Sequence, residues 1–214
     1  MNALREEICQ IGRSLFERGY VHATAGNISV RIDQGFLITP TDACLGTLDP
    51  ARLALVRADG VQASGDRASK TLALHRRIYQ ADDSARCVIH THSTHLVALT
   101  LAGVWHPDDI LPPITPYYVM KVGHVPLIPY HRPGDPAAAE LVAQRIAAAH
   151  DAGKPLRAVM MERLGPNVWH DSPHAASAVL EELEETAKLW SMTRALPLSS
   201  QQIDELRTEF GALW

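Results

Sequence analysis

The stretch Ala25-Gly26-Asn27-Ile28-Ser29-Val30-Arg31-Ile32 alternates with a period of two, turns through Asp33-Gln34-Gly35 and returns in Phe36-Leu37-Ile38-Thr39. This is the pattern of a β-hairpin whose side chains point alternately to two faces. A hairpin commits the chain to antiparallel pairing, which a purely parallel, doubly wound sheet does not contain. Beyond Thr39, strands interleave with helices. Helices are predicted over 4–18, 69–80, 93–101, 135–150, 173–193 and 199–210, and further strands over 53–56, 86–91, 122–129, 157–161 and 166–169. Leu4, Ile8, Ile11, Leu15 and Phe16 carry the helical spacing of the first helix, and Pro136 is well placed to open a later one. Ser69 is a candidate cap for the second helix, Ser93 or Thr94 for the third, and a serine for the last. The pattern predicts an α/β chain with a mixed sheet covered by helices. No repeat, low-complexity tract or linker divides it, so one domain over 1–214 is expected.

Bulk properties exclude several function classes. The net charge is −4 and no basic stripe stands out, which argues against nucleic acid as a partner. The longest apolar runs are too short to span a bilayer, and the start of the chain lacks a signal peptide's apolar stretch. Cys9, Cys44 and Cys87 are odd in number and far apart, which favours a reducing, cytoplasmic location over a disulfide framework. Cys9 and Cys87 read as small core residues.

Four groups of residues carry chemistry. His90-Thr91-His92 places two imidazoles on one face of a strand, with His95 just beyond. Such a pair is suited to a divalent metal, and equally to hydrogen bonding at a strand end. Asn27, Thr39-Pro40-Thr41-Asp42 and Ser69-Lys70 are small polar residues at turns, the last at a helix start that attracts anions; each also serves as plain turn or capping chemistry. Thr115-Pro116-Tyr117-Tyr118 offers phenol hydroxyls, as proton donors or as packed rings. His131-Arg132-Pro133-Gly134-Asp135 turns into a helix and offers Arg132 to an anion. The glutamates from Glu181 to Glu185 read as a solvated helix face, and Trp105, Trp169, Trp190 and Trp214 as packing.

The order Gly26-Asn27-Ile28-Ser29, Ile38-Thr39-Pro40-Thr41, Ser69-Lys70, His90-Thr91-His92-Ser93-Thr94-His95 and Leu164-Gly165-Pro166 resembles the class II aldolase/adducin family over most of the chain. Further segments are similar to the branch of that family that decarboxylates 3-oxo-tetronate 4-phosphates. They are Leu111 to Tyr118, Pro129 to Pro136 and Leu183 to Leu189. The resemblance implies a three-layer α/β/α fold around a mostly antiparallel sheet, and a homotetramer with active sites at subunit boundaries. It also implies a divalent metal, zinc first and manganese or cobalt as alternatives. The family's first two metal ligands fall on His90 and His92. Its phosphate cradle falls on Asn27, Thr41, Asp42, Ser69 and Lys70, and its catalytic tyrosine, offered from a neighbouring subunit, on Tyr118. The implied activity is decarboxylation of a small phosphorylated 3-oxo sugar acid to a ketose phosphate and CO2. The alternatives are a sugar-phosphate aldolase and, in another class, a non-catalytic scaffold that binds a metabolite or partner.

Two positions depart from the family. Thr71 stands where its acid/base glutamate is expected, and Leu164 where its third histidine ligand is expected. His124, His131 and Glu162 are the candidates for a replacement ligand. Decarboxylation needs no base to remove a carbon-bound proton at the outset, so the loss at Thr71 is less damaging for a decarboxylase than for an aldolase.

Overall fold

A computed structural model describes residues 1–214. In chain order the elements are helix α1 (Asn2–Glu17), strands β1 (Asn27–Ile32), β2 (Gly35–Ile38), β3 (Ala54–Arg57) and β4 (Gln62–Ser64), and helix α2 (Leu72–Ala81). Strand β5 (Cys87–His90), helix α3 (Thr94–Ala102), strand β6 (Leu127–Ile128) and helix α4 (Pro136–Asp151) come next. Strands β7 (Ala158–Met161) and β8 (Gly165–His170) and helices α5 (Pro173–Thr193) and α6 (Ser200–Phe210) complete the chain. The strands form one sheet in the order β4-β3-β2-β1-β5-β8-β7-β6. Every neighbouring pair is antiparallel except β6 with β7. The mixed sheet expected from the sequence pattern is therefore present, and it is mostly antiparallel, as the family resemblance implies.

Period-two alternation divides the sheet's side chains between two helical layers. Cys87, Ile89, Val168, Ala158 and Met160 face one core with Ile8 and Leu15 of α1, Leu96 of α3 and Leu180 of α5. Val88, Trp169, Val159 and Met161 face the opposite core with Ile78 and Tyr79 of α2 and Val142 and Ile146 of α4. Two apolar faces covered by helices make the three-layer α/β/α arrangement. No helix is long and apolar enough to cross a membrane.

Some expectations need correction. The strand expected within 122–129, closed by prolines, is Leu127–Ile128; the π-helical turn over Tyr118–Val122 that precedes it is not expected from the sequence pattern. Pro126 and Pro129 lack the N–H that a longer ladder needs. Edge strand β4 carries no signal in the sequence, because its three residues are all exposed and show no apolar alternation. Ser93 does not cap α3: its Oγ lies 2.7 Å from Thr91 Oγ1 and donates to the Tyr20 carbonyl at 3.4 Å. Glu184 of α5 caps that helix instead, accepting from the His95 and Leu96 amides at 3.0 and 3.1 Å. At 2% exposure Glu184 is no solvated residue, and an N-terminal helix end is where a buried carboxylate is best stabilised. Trp169 is buried as expected, whereas Trp105 is exposed.

Two glycines let the backbone close around the end of β5. Gly26 has φ +83°, and a Cβ there would lie 2.8 Å from the His90 carbonyl oxygen. Gly165 has φ +139°, and a Cβ there would lie 1.9 Å from the Thr91 carbonyl oxygen. Only glycine accommodates both the dihedral and the approach. We expect Gly165→Ala to destabilise the fold by at least about 2 kcal/mol, read from urea unfolding midpoints. An unchanged midpoint would show that the turn before β8 relaxes without strain.

Candidate metal and substrate site

The end of β5 is where the polar residues meet. Across the sheet, Asn27 of β1 pairs with His90 of β5, and His90 pairs with Asn167 of β8. Paired residues project to one face, so these three side chains form a row, on the side that α2 and α4 cover. His90 is 4% exposed, Asn27 is buried and Asn167 is fully enclosed. The Asn27 Oδ1 and both side-chain polar atoms of Asn167 have no hydrogen-bond partner within the chain. Buried polar atoms without partners are uncommon and point to an incoming group.

The state of His90 follows from one hydrogen bond. Its Nδ1 lies 2.8 Å from the Pro166 carbonyl oxygen, which can only accept, so Nδ1 carries the proton. Nε2 is left with a free lone pair, the orientation that metal-binding histidines usually take. Burial pushes the His90 pKa down to about 4, with the neighbouring His92 adding to the shift and the Pro166 bond opposing it. Burial also lowers His92, with His22 contributing. Both imidazoles are therefore neutral at pH 7, as a metal ligand must be. Their ring centroids are 5.1 Å apart. Two imidazoles sharing one ion at tetrahedral geometry, with metal–nitrogen bonds of about 2.0–2.1 Å, place their centroids roughly 5 Å apart. The pair thus fits a divalent ion, but no group of three histidine, cysteine or acidic residues converges on one point.

The ligand candidates proposed from the sequence are engaged elsewhere. His124 meets Asp109 through Nδ1 at 2.8 Å and Lys154 through Nε2 at 3.2 Å, and stacks on Trp214. His131 lies 3.9 Å from Asp135, and Glu162 accepts from the Tyr130 amide at 2.9 Å. His95 turns its Nδ1 to Glu184 at 2.8 Å. Leu164 packs against the apolar core under α2 and α4.

The expected cradle residues are partly brought together. Asn27 Nδ2 donates to Thr71 Oγ1 at 2.9 Å, and Thr71 Oγ1 lies 2.7 Å from Ser69 Oγ. Ser69 thus bonds to Thr71 and does not cap α2, which begins without a side-chain cap. Thr41 is held beside this segment by its amide, which donates to the Arg67 carbonyl at 2.9 Å. Lys70 and Asp42 are exposed, and Asp42 sits at φ +56°. A surface cavity of about 460 Å³ opens against the loop Pro40–Cys44, between Asp49, Arg52, Asp66 and Arg67. Neither His90 nor His92 lines it.

Tyr118, expected as the proton donor, lies inside the chain. Tyr118 is 0% exposed and its hydroxyl has no partner. Burial, with the Asp109 charge, raises its pKa well above 10. The adjacent Tyr117 is 57% exposed and is the residue that faces outward. Sequence reasoning also passed over His22, His75 and Asn167. The signal for the last two was a polar residue at a position that faces the core.

Three comparisons bear on this site. The Class II Aldolase and Adducin N-terminal domain profile matches residues 6–191. The chain is 60% identical to a 3-oxo-tetronate 4-phosphate decarboxylase of Cupriavidus necator, covering 99% of this chain and 97% of the relative. It is 41% identical to the enzyme of that name in Escherichia coli K12, over 96% of both chains. Among solved structures, Escherichia coli YgbL superposes with a TM-score of 0.87 at 41% identity, covering 96% of this chain and 98% of that one. L-Fuculose-1-phosphate aldolase of Thermus thermophilus superposes with a TM-score of 0.73 at 27% identity, covering 89% of this chain and 95% of that one.

One histidine beneath the site is held neutral by burial. His75 of α2 is fully buried, with Nδ1 2.8 Å from Ser29 Oγ and Nε2 unpartnered. Burial, with the charge of His90, lowers its pKa to about 3. Between pH 6.5 and 3 the unfolded chain binds a proton at His75 that the native chain does not. Stability contributed by neutral His75 is therefore complete above about pH 6.5 and falls as the medium is acidified, by roughly 1.4 kcal/mol per pH unit. We expect His75→Gln to flatten the plot of unfolding free energy against pH by one proton over this range. Parallel plots for parent and variant would show that His75 does not titrate in this way.

Proposed function

The chain belongs to the class II aldolase and adducin family, and on that premise we propose that it is a metal-dependent carboxy-lyase acting on a 3-oxo-tetronate 4-phosphate. The products are CO2 and a ketose phosphate such as dihydroxyacetone phosphate. Membership of the family and the decarboxylase relatives make the chain a carbon–carbon lyase. The observation that carries the finer reading is the His90–His92 pair, 5.1 Å apart at the ring centroids, with His90 fixed by Pro166 so that its Nε2 is free. In this reading His90 and His92 hold a divalent ion, zinc first and manganese or cobalt as alternatives. When bound, such an ion supplies a Lewis acid for the substrate's ketone oxygen.

The chain's own residues supply binding and proton handling. Asn27, Thr41, Asp42, Ser69 and Lys70 form the phosphate cradle in this reading, with Thr71 as the hydroxyl that joins Asn27 to Ser69. Lys70 adds positive charge at the edge of that chain, and Asp42 acts through its backbone N–H. Phosphate bound at a distance from the reacting carbons supplies energy for positioning. CO2 departs with the carboxylate carbon and leaves its electron pair on the adjacent carbon, which must then take a proton. Tyr117, exposed on the surface, is the donor in this reading, in place of Tyr118. A homotetramer with sites at subunit boundaries, in the cytoplasm, completes the proposal; no nucleic acid or membrane enters it.

The first test joins metal content to product analysis. We expect protein purified without a histidine tag to carry about one metal per chain, lost in His90→Ala/His92→Ala, and to release CO2 from the tetronate phosphate. Release of an aldehyde would favour the sugar-phosphate aldolase, and absence of metal and turnover would favour the scaffold. The second test concerns the proton donor. Tyr117→Phe should lower turnover by about 100-fold, while Tyr118→Phe should leave it unchanged, since the buried hydroxyl has no partner to lose. The reverse pattern would return the role to Tyr118.

A further inference from the structure

Leu164 packs into the core, which leaves the metal pair one protein ligand short of the three that catalytic zinc sites usually have. The loop between α1 and β1 brings another imidazole, that of His22, beside His92. Ser93 Oγ ties this loop to the end of β5 through the Tyr20 carbonyl, and Gly26 packs it against the His90 carbonyl. Within it the Ala25 amide donates to the His22 carbonyl at 2.9 Å, closing a tight turn. Ala23, in that turn, has φ +47°, a left-handed conformation rarely taken by a residue with a Cβ. Strain of this kind clusters at functional sites. His22, the residue before Ala23, is exposed and makes no side-chain hydrogen bond. Its ring stands edge-on to His92 at 70°, with centroids 6.4 Å apart.

We propose that His22 is the third imidazole of the metal site, in the role that Leu164 cannot fill. The proposal rests on the metal-dependent reading above. The 6.4 Å separation exceeds the tetrahedral spacing by about 1 Å, which a rotamer change of a free surface side chain covers. The other histidines nearby are committed: His95 to Glu184, His124 to Asp109 and Lys154, and His75 to Ser29 inside the core. The site so formed has three imidazoles and keeps its remaining positions for oxygen atoms of the substrate.

The test uses full-length, untagged protein stripped of metal and titrated with cobalt(II), read in the visible spectrum, with zinc affinity measured by competition. The parent should bind about one cobalt with the strong absorption of a four-coordinate ion. His22→Ala should bind zinc at least about 100-fold more weakly and lose that absorption, with an unchanged melting temperature. If His22→Ala keeps the parent's affinity and spectrum while His90→Ala loses both, His22 is not a ligand and the metal-dependent reading stands. If the parent binds neither ion, the His22 site and the metal-dependent reading both fall.

Discussion

The register of β5 between β1 and β8 is the constraint on which the site depends. It puts Asn27, His90 and Asn167 in one row and sets the Pro166 carbonyl against the His90 Nδ1. A slip of one residue would turn His90 to the opposite core and bring Ile89 into the row. That register is held by apolar side chains on both faces, Cys87 and Ile89 on one and Val88 on the other. The chemistry at the strand end thus rests on packing further along the same strand. The two glycines that close over the end, Gly26 and Gly165, serve the same geometry from the neighbouring strands.

Much of this arrangement is legible in the residues. The hairpin at β1 and β2 announces antiparallel pairing because its alternation is regular and its turn is short. Long periodic helices such as α5 are equally clear. Features set by distant partners are not legible in this way. The cap of α3 comes from Glu184, far away in sequence, and β4 exists only because β3 pairs with it. At the site, the spacing of His90 and His92 is informative because a strand fixes where side chains two apart point. The choice between Tyr117 and Tyr118 is not, because in a single turn of helix adjacent residues face different surroundings and periodicity does not say which faces solvent. His22 lies in a loop, where no period exists to aim it.

The two departures from the family act on different parts of the chemistry. At Leu164 a half-buried apolar side chain packs against the core beneath α2 and α4, so the position gives packing energy. At Thr71 a hydroxyl bridges Asn27 and Ser69, so the position gives hydrogen bonding where the family carries a charge. In the proposed reading one change removes a ligand and the other an anion, and the consequences for catalysis differ accordingly.

For the proposed substrate the loss of an anion is not a defect. A 3-oxo-tetronate 4-phosphate brings a carboxylate and a phosphate, and a glutamate at position 71 would stand beside the cradle that receives them. Like charges a few ångströms apart repel by about 1–4 kcal/mol at the dielectric of a protein surface. Threonine removes that repulsion and retains a hydroxyl to donate. An aldolase that must strip a proton from carbon needs the base and would have to tolerate the repulsion. A decarboxylase gains its carbanion by losing CO2, and so can dispense with the charge. In the proposed reading the neutral chain Asn27–Thr71–Ser69 is therefore a better floor for a doubly acidic substrate than one carrying a glutamate, and it favours carbon dioxide over an aldehyde as the fragment released.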